Sequence, residues 1–207
     1  MRAELGLFPL ETVLLPSERV PLHIFEVRYQ ELIGECLEEE SEFGFLFEDD
    51  EGTRAIGTRA KVVEVLDRFD DGRLNIVVEG GERFHVLRET EGRSFRTAEV
   101  EAVVDGHAEA DRSLRDRALE LYRGLRQIAE VEIDEPSPGA ATLSFELAAR
   151  VDFGAQRKQD LLELRSERER LQVLMSLLER ASEAITLERA VAEAAARNGH
   201  RQAGSSS

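Results

Sequence analysis

The stretch LFPLETVLLPSERVPLHIFEVRYQELI, residues 7–33, decides how the chain is read. Pro9, Pro16 and Pro21 break its apolar runs, and Glu11, Glu18, Arg19, Glu26 and Arg28 are set among them. A secretion signal needs a basic start, an unbroken apolar core and a small-residue cleavage site. Here Glu4 follows Arg2, Pro9 and Glu11 interrupt the run, and no A-x-A site follows. The stretch therefore belongs to the folded protein. It predicts an edge strand, a proline-bent crossing and a helix over about 27–40, because Tyr29, Leu32, Ile33, Cys36 and Leu37 recur at helical spacing. Proline removes a ladder donor, so the short runs at 7–10 and 12–15 are expected to be strand ends or edges.

Downstream of the helix the chain keeps a strand rhythm. In RFDDGRLNIVVEG, Asp71-Gly72 supplies a hairpin turn, and Leu74, Ile76 and Val78 alternate with Asn75, Val77 and Glu79. IGTRAKVVEVL is its partner strand. Gly80-Gly81 then breaks the chain, and RFHVL (83–87) and FRTAEV (95–100) predict two more strands. Past Asp105 the period changes. Leu114, Ala118, Leu121, Leu125 and Ile128 lie on one face of a helix over about 109–131. DEPSPGA (134–140) predicts a loop. Leu143, Leu147 and Val151 predict a second helix, Leu161 and Leu162 a short third. Ser166 with Glu169 forms a capping box for a fourth, which carries Leu171, Leu174, Met175, Leu178 and Ile185 and runs to about 197. The chain thus divides into a β-rich part, 1–103, a helical part, 104–197, and a polar tail, 198–207, expected to be disordered. Phe25, Leu32, Ile76 and Val78 are expected in the core.

Composition excludes several functions. Cys36 is the only cysteine, which removes an internal disulfide and a cysteine-based zinc cage. Its place in an apolar-periodic stretch makes it a core thiol. The net charge is −16, of which residues 1–103 carry −12. Such a surface repels the phosphates on which nucleic-acid affinity rests. EDDEGTRA lacks the spaced oxygens and distal Glu of a calcium loop. There is no phosphate-binding G-x-x-x-x-G-K-[ST], no G-x-S-x-G, no H-E-x-x-H and no G-x-G-x-x-G. His23, His85, His107 and His200 are scattered, and His23 is read as a structural hydrogen-bonding group. No catalytic residue, cofactor or metal is assigned. No window is apolar enough for a membrane helix, and the chain is expected in the cytoplasm.

Three blocks in order, LFPL…VLLPSERVPLHIFEVRY, IGTRAKV and DGRLNIVVEGGERFHV, resemble the substrate-binding N-terminal domain of Lon-type ATP-dependent proteases. KQDLLEL and ERERLQVLMSLLERA look like the closing helices of that domain, so the resemblance covers about residues 5–185. It implies an α+β fold: a PUA-like twisted-sheet pseudo-barrel with one helix, followed by a C-terminal helical bundle. A full Lon protease continues into a P-loop ATPase and a Ser-Lys protease domain. This chain ends instead, so it resembles a stand-alone Lon N-terminal-domain protein, and neither activity carries over. Val27 stands where stand-alone members carry proline. That departure weakens the helix start slightly.

The resemblance implies a non-enzymatic module that binds unfolded or partly unfolded polypeptides, with a protease or ATPase acting in trans as a further partner. The physical means would be an apolar patch or an open sheet edge. Phe25, Tyr29, Phe43, Phe45 and Phe47 are the candidate polypeptide-binding residues. The last three share one face if FGFLFEDD (43–50) is a strand. RNA binding is the alternative, since PUA-like folds elsewhere bind RNA, although the acidic charge opposes it. A hydrolase would need a converged polar cleft that the sequence does not show.

Overall fold

The computed structural model describes residues 2–106, 110–132, 134–136, 140 and 142–203, with side chains from Ala3 up to Ala192. Seven strands form one connected sheet: β1 (Arg2–Leu10), β2 (Arg19–Ile24), β3 (Phe43–Asp49), β4 (Gly52–Thr53), β5 (Ile56–Arg68), β6 (Leu74–Thr90) and β7 (Thr97–Ala102). One helix, α1 (Val27–Glu39), interrupts them. Four more follow: α2 (Arg112–Ala129), α3 (Leu143–Ala148), α4 (Ala155–Glu163) and α5 (Glu167–Ala203). Strand pairing is antiparallel except between β1 and β3. That parallel pair closes the sheet on itself. β1 pairs with β7 through Arg2–Gly6, then with β3 through Leu7–Leu10, so that β1, β7, β6, β5 and β3 make a ring.

One apolar cluster draws only on ring strands: Leu5, Leu7, Leu46, Phe84, Ala98 and Val100. A second forms where α1 lies on the sheet, and joins Tyr29, Leu32, Ile33 and Cys36 to Phe8, Phe43, Phe45, Ile76 and Val78. The thiol of Cys36 is buried there, and burial pushes its pKa up. The third is the core of the helices. Val13, Leu15 and Phe47 from the strand half reach into it, against Tyr122, Phe145, Leu161, Leu171 and Leu174 among others.

Polar bonds lock the two halves together. The Lys158 ammonium lies 2.6 Å from Glu18, whose other oxygen accepts from Leu15 N at 2.9 Å. Gln159 Nε2 donates to Ile56 O at 3.0 Å. At the centre, Arg83 from β6 and Arg170 from α5 both bind the Asp105 carboxylate, which lies between β7 and α2. The two guanidiniums stand 5.4 Å and 4.3 Å from the same Phe145 ring. Arg83 Nη1 also donates to the carbonyls of Leu162 and Leu164, each at 2.6 Å. Arg170 donates to Ser144 Oγ and Glu167 Oε2, both at 2.9 Å. Burial alone would raise the Asp105 pKa. The hydrogen bonds and charges of Arg170 and Arg83 outweigh it and hold the carboxyl below its ordinary value. Burial lowers Arg83, whereas for Arg170 the carboxylate contacts overcome burial. Both are cations at neutral pH all the same.

Several expectations are amended. The run 12–15 is not a strand, although Val13, Leu14 and Leu15 are buried. The proline-bent crossing contains a true strand, β2, because Pro21 can sit in a strand with no second neighbour. The strands expected at 74–79 and 83–87 are one continuous β6. Gly80 carries it past the β1–β2 connection, where a Cβ would stand 2.2 Å from Leu15 O. Phe25 is not in the core: it is 62% exposed, since it follows the last β2 residue and points off the sheet. The capping box is formed, with Glu169 N donating to Ser166 Oγ at 3.3 Å. α5 runs on through Ala203 into the segment expected as a disordered tail, because its alanine-rich course favours helix. Residues 204–207 lie outside the described residues, as do His107, part of the 134–140 loop and the start expected for the first bundle helix at 109. Among the described residues no helix is long and apolar enough to cross a membrane.

Two stability outcomes follow from these contacts. Removing the shared carboxylate leaves two buried cations without it, so Asp105→Ala should cost about 3 kcal/mol in urea unfolding, the lower end for a broken buried pair because Asp105 is part-exposed. A carboxyl with a depressed folded pKa stabilises above its unfolded value of about 4 and loses that contribution as pH falls through the folded one. Stability of the parent should therefore drop below about pH 4 more steeply than that of Asp105→Asn. At the helix start, Val27 is exposed and Glu26 before it has φ −75° and ψ 132°, the region that proline demands of its predecessor. Val27→Pro should raise stability by about 0.4–1 kcal/mol, measured by the same unfolding curve.

Candidate functional site

Where β6 and β5 run on beyond the ring, β2 joins them in a three-stranded extension covered on one side only. Val20, Leu22, Ile76, Val78, Val62 and Val65 face α1 and its cluster. The opposite face is open, and the register stacks it in rows. Arg19, Glu79 and Lys61 are side by side, with Arg19 Nε 2.5 Å from Glu79 Oε2. Pro21, Val77 and Glu64 follow. The third row is His23, Asn75 and Asp67, and it is a hydrogen-bonded chain. Asn75 Nδ2 donates to Asp67 Oδ2 at 2.8 Å, and Asn75 Oδ1 lies 2.6 Å from His23 Nδ1. The carboxylate orients the amide, so the amide oxygen receives the Nδ1 hydrogen.

Two irregularities in β5, between Val62 and Glu64 and between Val65 and Asp67, insert Val63 and Leu66, and both are exposed. At the end of the rows stand two aromatic rings. Phe25, just past β2, stacks on His23 at 6.0 Å with 20° between planes. Phe69, just past β5, meets the same imidazole edge-on at 6.3 Å. The Arg73 guanidinium covers Phe69 at 5.1 Å and is tied to Asp71 at 2.8 Å. The β5–β6 turn has Gly72 at φ 87°, where a Cβ would also meet Gln30 Oε1 at 2.6 Å. Gln30 Nε2 in turn donates to Phe25 O at 3.1 Å. One α1 side chain thus holds the Phe25 carbonyl and lies against the turn that follows Phe69.

This face has apolar groups where a half-covered sheet ordinarily has polar ones. Pro21, Val63, Leu66, Phe25 and Phe69 are exposed apolar residues on these strands or just past their ends, and Val77 is half-buried among them, interspersed with polar and charged side chains. Arg28 and Glu26 pair with each other beside this face at 2.8 Å.

The other four expected contact residues are elsewhere. Tyr29, Phe43 and Phe45 are buried around Phe8, with ring centroids 4.2, 6.0 and 6.4 Å from it, and Phe47 is buried in the helical core. Tyr29 is on the face of α1 that packs on the sheet, and for the three phenylalanines the physical reason is ring closure. β3 has β1 on one side and β5 on the other, and both of its faces are covered. Of the five, Phe25 alone offers its side chain to solvent. Phe69, His23, Leu66 and Val63 were not expected as site residues. A hydrophobic residue on either side of the Asp-Asp-Gly turn was the available signal.

Other concavities offer less. A cleft of about 530 Å³ between Pro16, Gly81, Val103 and Phe145 includes Arg83 and Asp105, but those two are bound to each other. Among the described residues no cluster of His, Cys, Asp and Glu could hold a metal ion. Among them, too, each carboxyl with a resolved shift (Glu48, Asp71, Asp105, Asp111 and Glu135) is lowered, whereas a general acid needs a raised one.

Comparison with known proteins gives a consistent picture. Residues 4–180 match the model of the ATP-dependent protease La (LON) substrate-binding domain. A Lon protease of Anaeromyxobacter dehalogenans (strain 2CP-C) is 28% identical over 205 residues, which are 89% of this chain and 24% of that protein. Lon protease 2 of Myxococcus xanthus is 26% identical over 203 residues, 88% of this chain and 24% of the relative. The chain thus spans about a quarter of the length of these curated relatives. Among solved structures, the Lon N-terminal domain protein from Xanthomonas campestris superposes with a TM-score of 0.67 at 28% identity, over 84% of this chain and 98% of that one. The N-terminal domain of Mycobacterium avium complex Lon protease shares the fold, with a TM-score of 0.66 at 23% identity over 86% of this chain and 98% of the other.

The contrast between aromatic positions is measurable. Phe43→Ala should cost about 3–5 kcal/mol in urea unfolding, whereas Phe25→Ala should stay within about 0.5 kcal/mol of the parent, as for a surface change.

Proposed function

The chain belongs to the LON substrate-binding domain family, and from that premise we propose that it binds exposed stretches of unfolded polypeptide through the open face of β2, β6 and β5, with no ATPase or protease chemistry of its own. As a family member it is a substrate-binding module. The observation that carries the finer reading is the exposed pair Phe25 and Phe69, closed around His23 at the end of a sheet whose other face is buried. Two large rings held in place without burial are adapted to receive apolar side chains that a folded client keeps inside. A disordered client loses chain entropy when held, so affinity is modest. Cutting or unfolding of the client falls to a protease or ATPase in trans.

Reduced, carbamidomethylated lysozyme, labelled with fluorescein, supplies an unfolded probe, and native lysozyme the folded control. In anisotropy titrations without ATP, the unfolded probe should bind in preference to the native one. That preference should persist at about 0.5 M salt, where the Debye length shrinks to about 4 Å. The pair Phe25→Ala and Phe69→Ala together should weaken it on the order of ten-fold, as when a contact hot spot is removed. Equal binding of both lysozymes would refute recognition of the unfolded state. Tight binding to tRNA that collapses with salt would replace it with a nucleic-acid reading.

A further inference from the structure

β2 pairs with β6 and, among the described residues, with no other strand. The phase of its outer edge follows from two backbone bonds just before the strand. Ser17 N donates to Gly80 O at 2.8 Å, and Gly80 N donates to Glu18 O at 2.9 Å. Gly80 therefore turns both of its groups toward the incoming chain. Antiparallel alternation turns Val78, Ile76 and Leu74 the same way, toward their partners Val20, Leu22 and Ile24. The residues between, Arg19, Pro21 and His23, direct their backbone groups outward, and all three are exposed. The edge stops at Phe25, whose carbonyl is already taken by Gln30. What remains is a short row of donors at Arg19 and His23, and acceptors at Arg19, Pro21 and His23.

We propose that this edge is a strand-addition site, on which an extended segment of the client polypeptide pairs its main chain with Arg19–His23. The inference rests on the client-binding reading above and specifies how the client is held. An added strand continues the open face, so its alternate side chains fall beside Pro21 and His23 and reach the ring of Phe25. Main-chain bonds supply affinity without regard to sequence, and the aromatic end selects segments with a large apolar residue. The substrate class is an extended chain, neutral to basic, with no proline opposite β2. A surface helix of a folded protein does not qualify, since its backbone groups are already bonded.

A second copy of this chain fits the same edge poorly. Pairing symmetric about Pro21 sets two prolines opposite each other, carbonyl toward carbonyl, with no donor between them. A client residue with an N–H retains one of those bonds. Each copy also carries −16, which repels its like and attracts a basic segment. Pro21 thus guards the edge against self-association and still admits a client.

Two proline variants and an exchange measurement test the edge apart from the aromatic patch. The His23 amide faces outward, so His23→Pro removes an edge donor and places Cδ in the path of an incoming strand. His23→Ala removes the ring and keeps the donor. With reduced, carbamidomethylated lysozyme as probe, His23→Pro should bind about ten-fold more weakly than His23→Ala, at matched melting temperatures. Arg19→Pro against Arg19→Ala repeats the comparison at the other end of the edge. In the unmodified protein, saturating probe should slow hydrogen exchange of the Arg19 and His23 amides about ten-fold or more, by NMR. Equal affinities within the Pro and Ala pairs, or exchange unchanged on saturation, would overturn the strand-addition site while leaving client binding by the patch intact. Failure of the probe to bind the unmodified protein would overturn both. If a proline variant melts early, exchange in the unmodified protein decides the matter.

Discussion

A single carboxylate, Asp105, holds the molecule together. It is the first charged residue after the last ring strand, and it receives one guanidinium from β6 and another from α5. Neither arginine could be buried without it. Arg170 is fully enclosed, and a cation in that position is tolerable only when paired and hydrogen-bonded throughout. The partners are supplied from several directions: Ser144 and Glu167 from the helices, the carbonyl of Leu162 from the last turn of α4 and that of Leu164 just after it, and the Phe145 ring. Because the satisfied set spans β6, the connection after β7, α3 and α5, it fixes how the bundle sits on the ring. An apolar contact could slide. A shared carboxylate with directional bonds cannot.

Ring closure has a second consequence. A sheet that closes removes its own edges, and β1 achieves this by changing partners along its length, from β7 to β3. The long β6 extends beyond the ring, however, and there, among the described residues, β2 is its only outer neighbour. The single helix of the strand half is used to cover one face of that extension. The other face and the free edge of β2 remain at the surface, next to each other. There the fold presents unpaired main chain and apolar side chains together.

Exposure on that scale requires protection from self-association. The net charge of −16 provides it at long range, and Pro21 at contact. Individual ion pairs on the surface, such as Arg19 with Glu79 and Arg73 with Asp71, add little to stability. Their effect here is geometric: they frame the open face and hold Arg73 over Phe69.

The sequence by itself determined the periodicities. The β-rich first half, the change to helical spacing after Asp105, α1 with its buried Tyr29, Leu32, Ile33 and Cys36, the Asp-Gly hairpin and the Ser166 cap were all legible, because each depends on residues a few positions apart. The three sequence blocks also carried the family resemblance. The tertiary structure alone decided which apolar residues are inside. Phe25 and Phe43 look alike in sequence, yet Phe25 lies past the end of a strand with one neighbour, and Phe43 in a strand with two. The partners of Arg83, Asp105 and Arg170 were equally hidden, being separated by 22 and 65 residues. So was the meeting of Phe25, His23 and Phe69. Burial and convergence depend on contacts between distant segments, and local spacing carries no record of them.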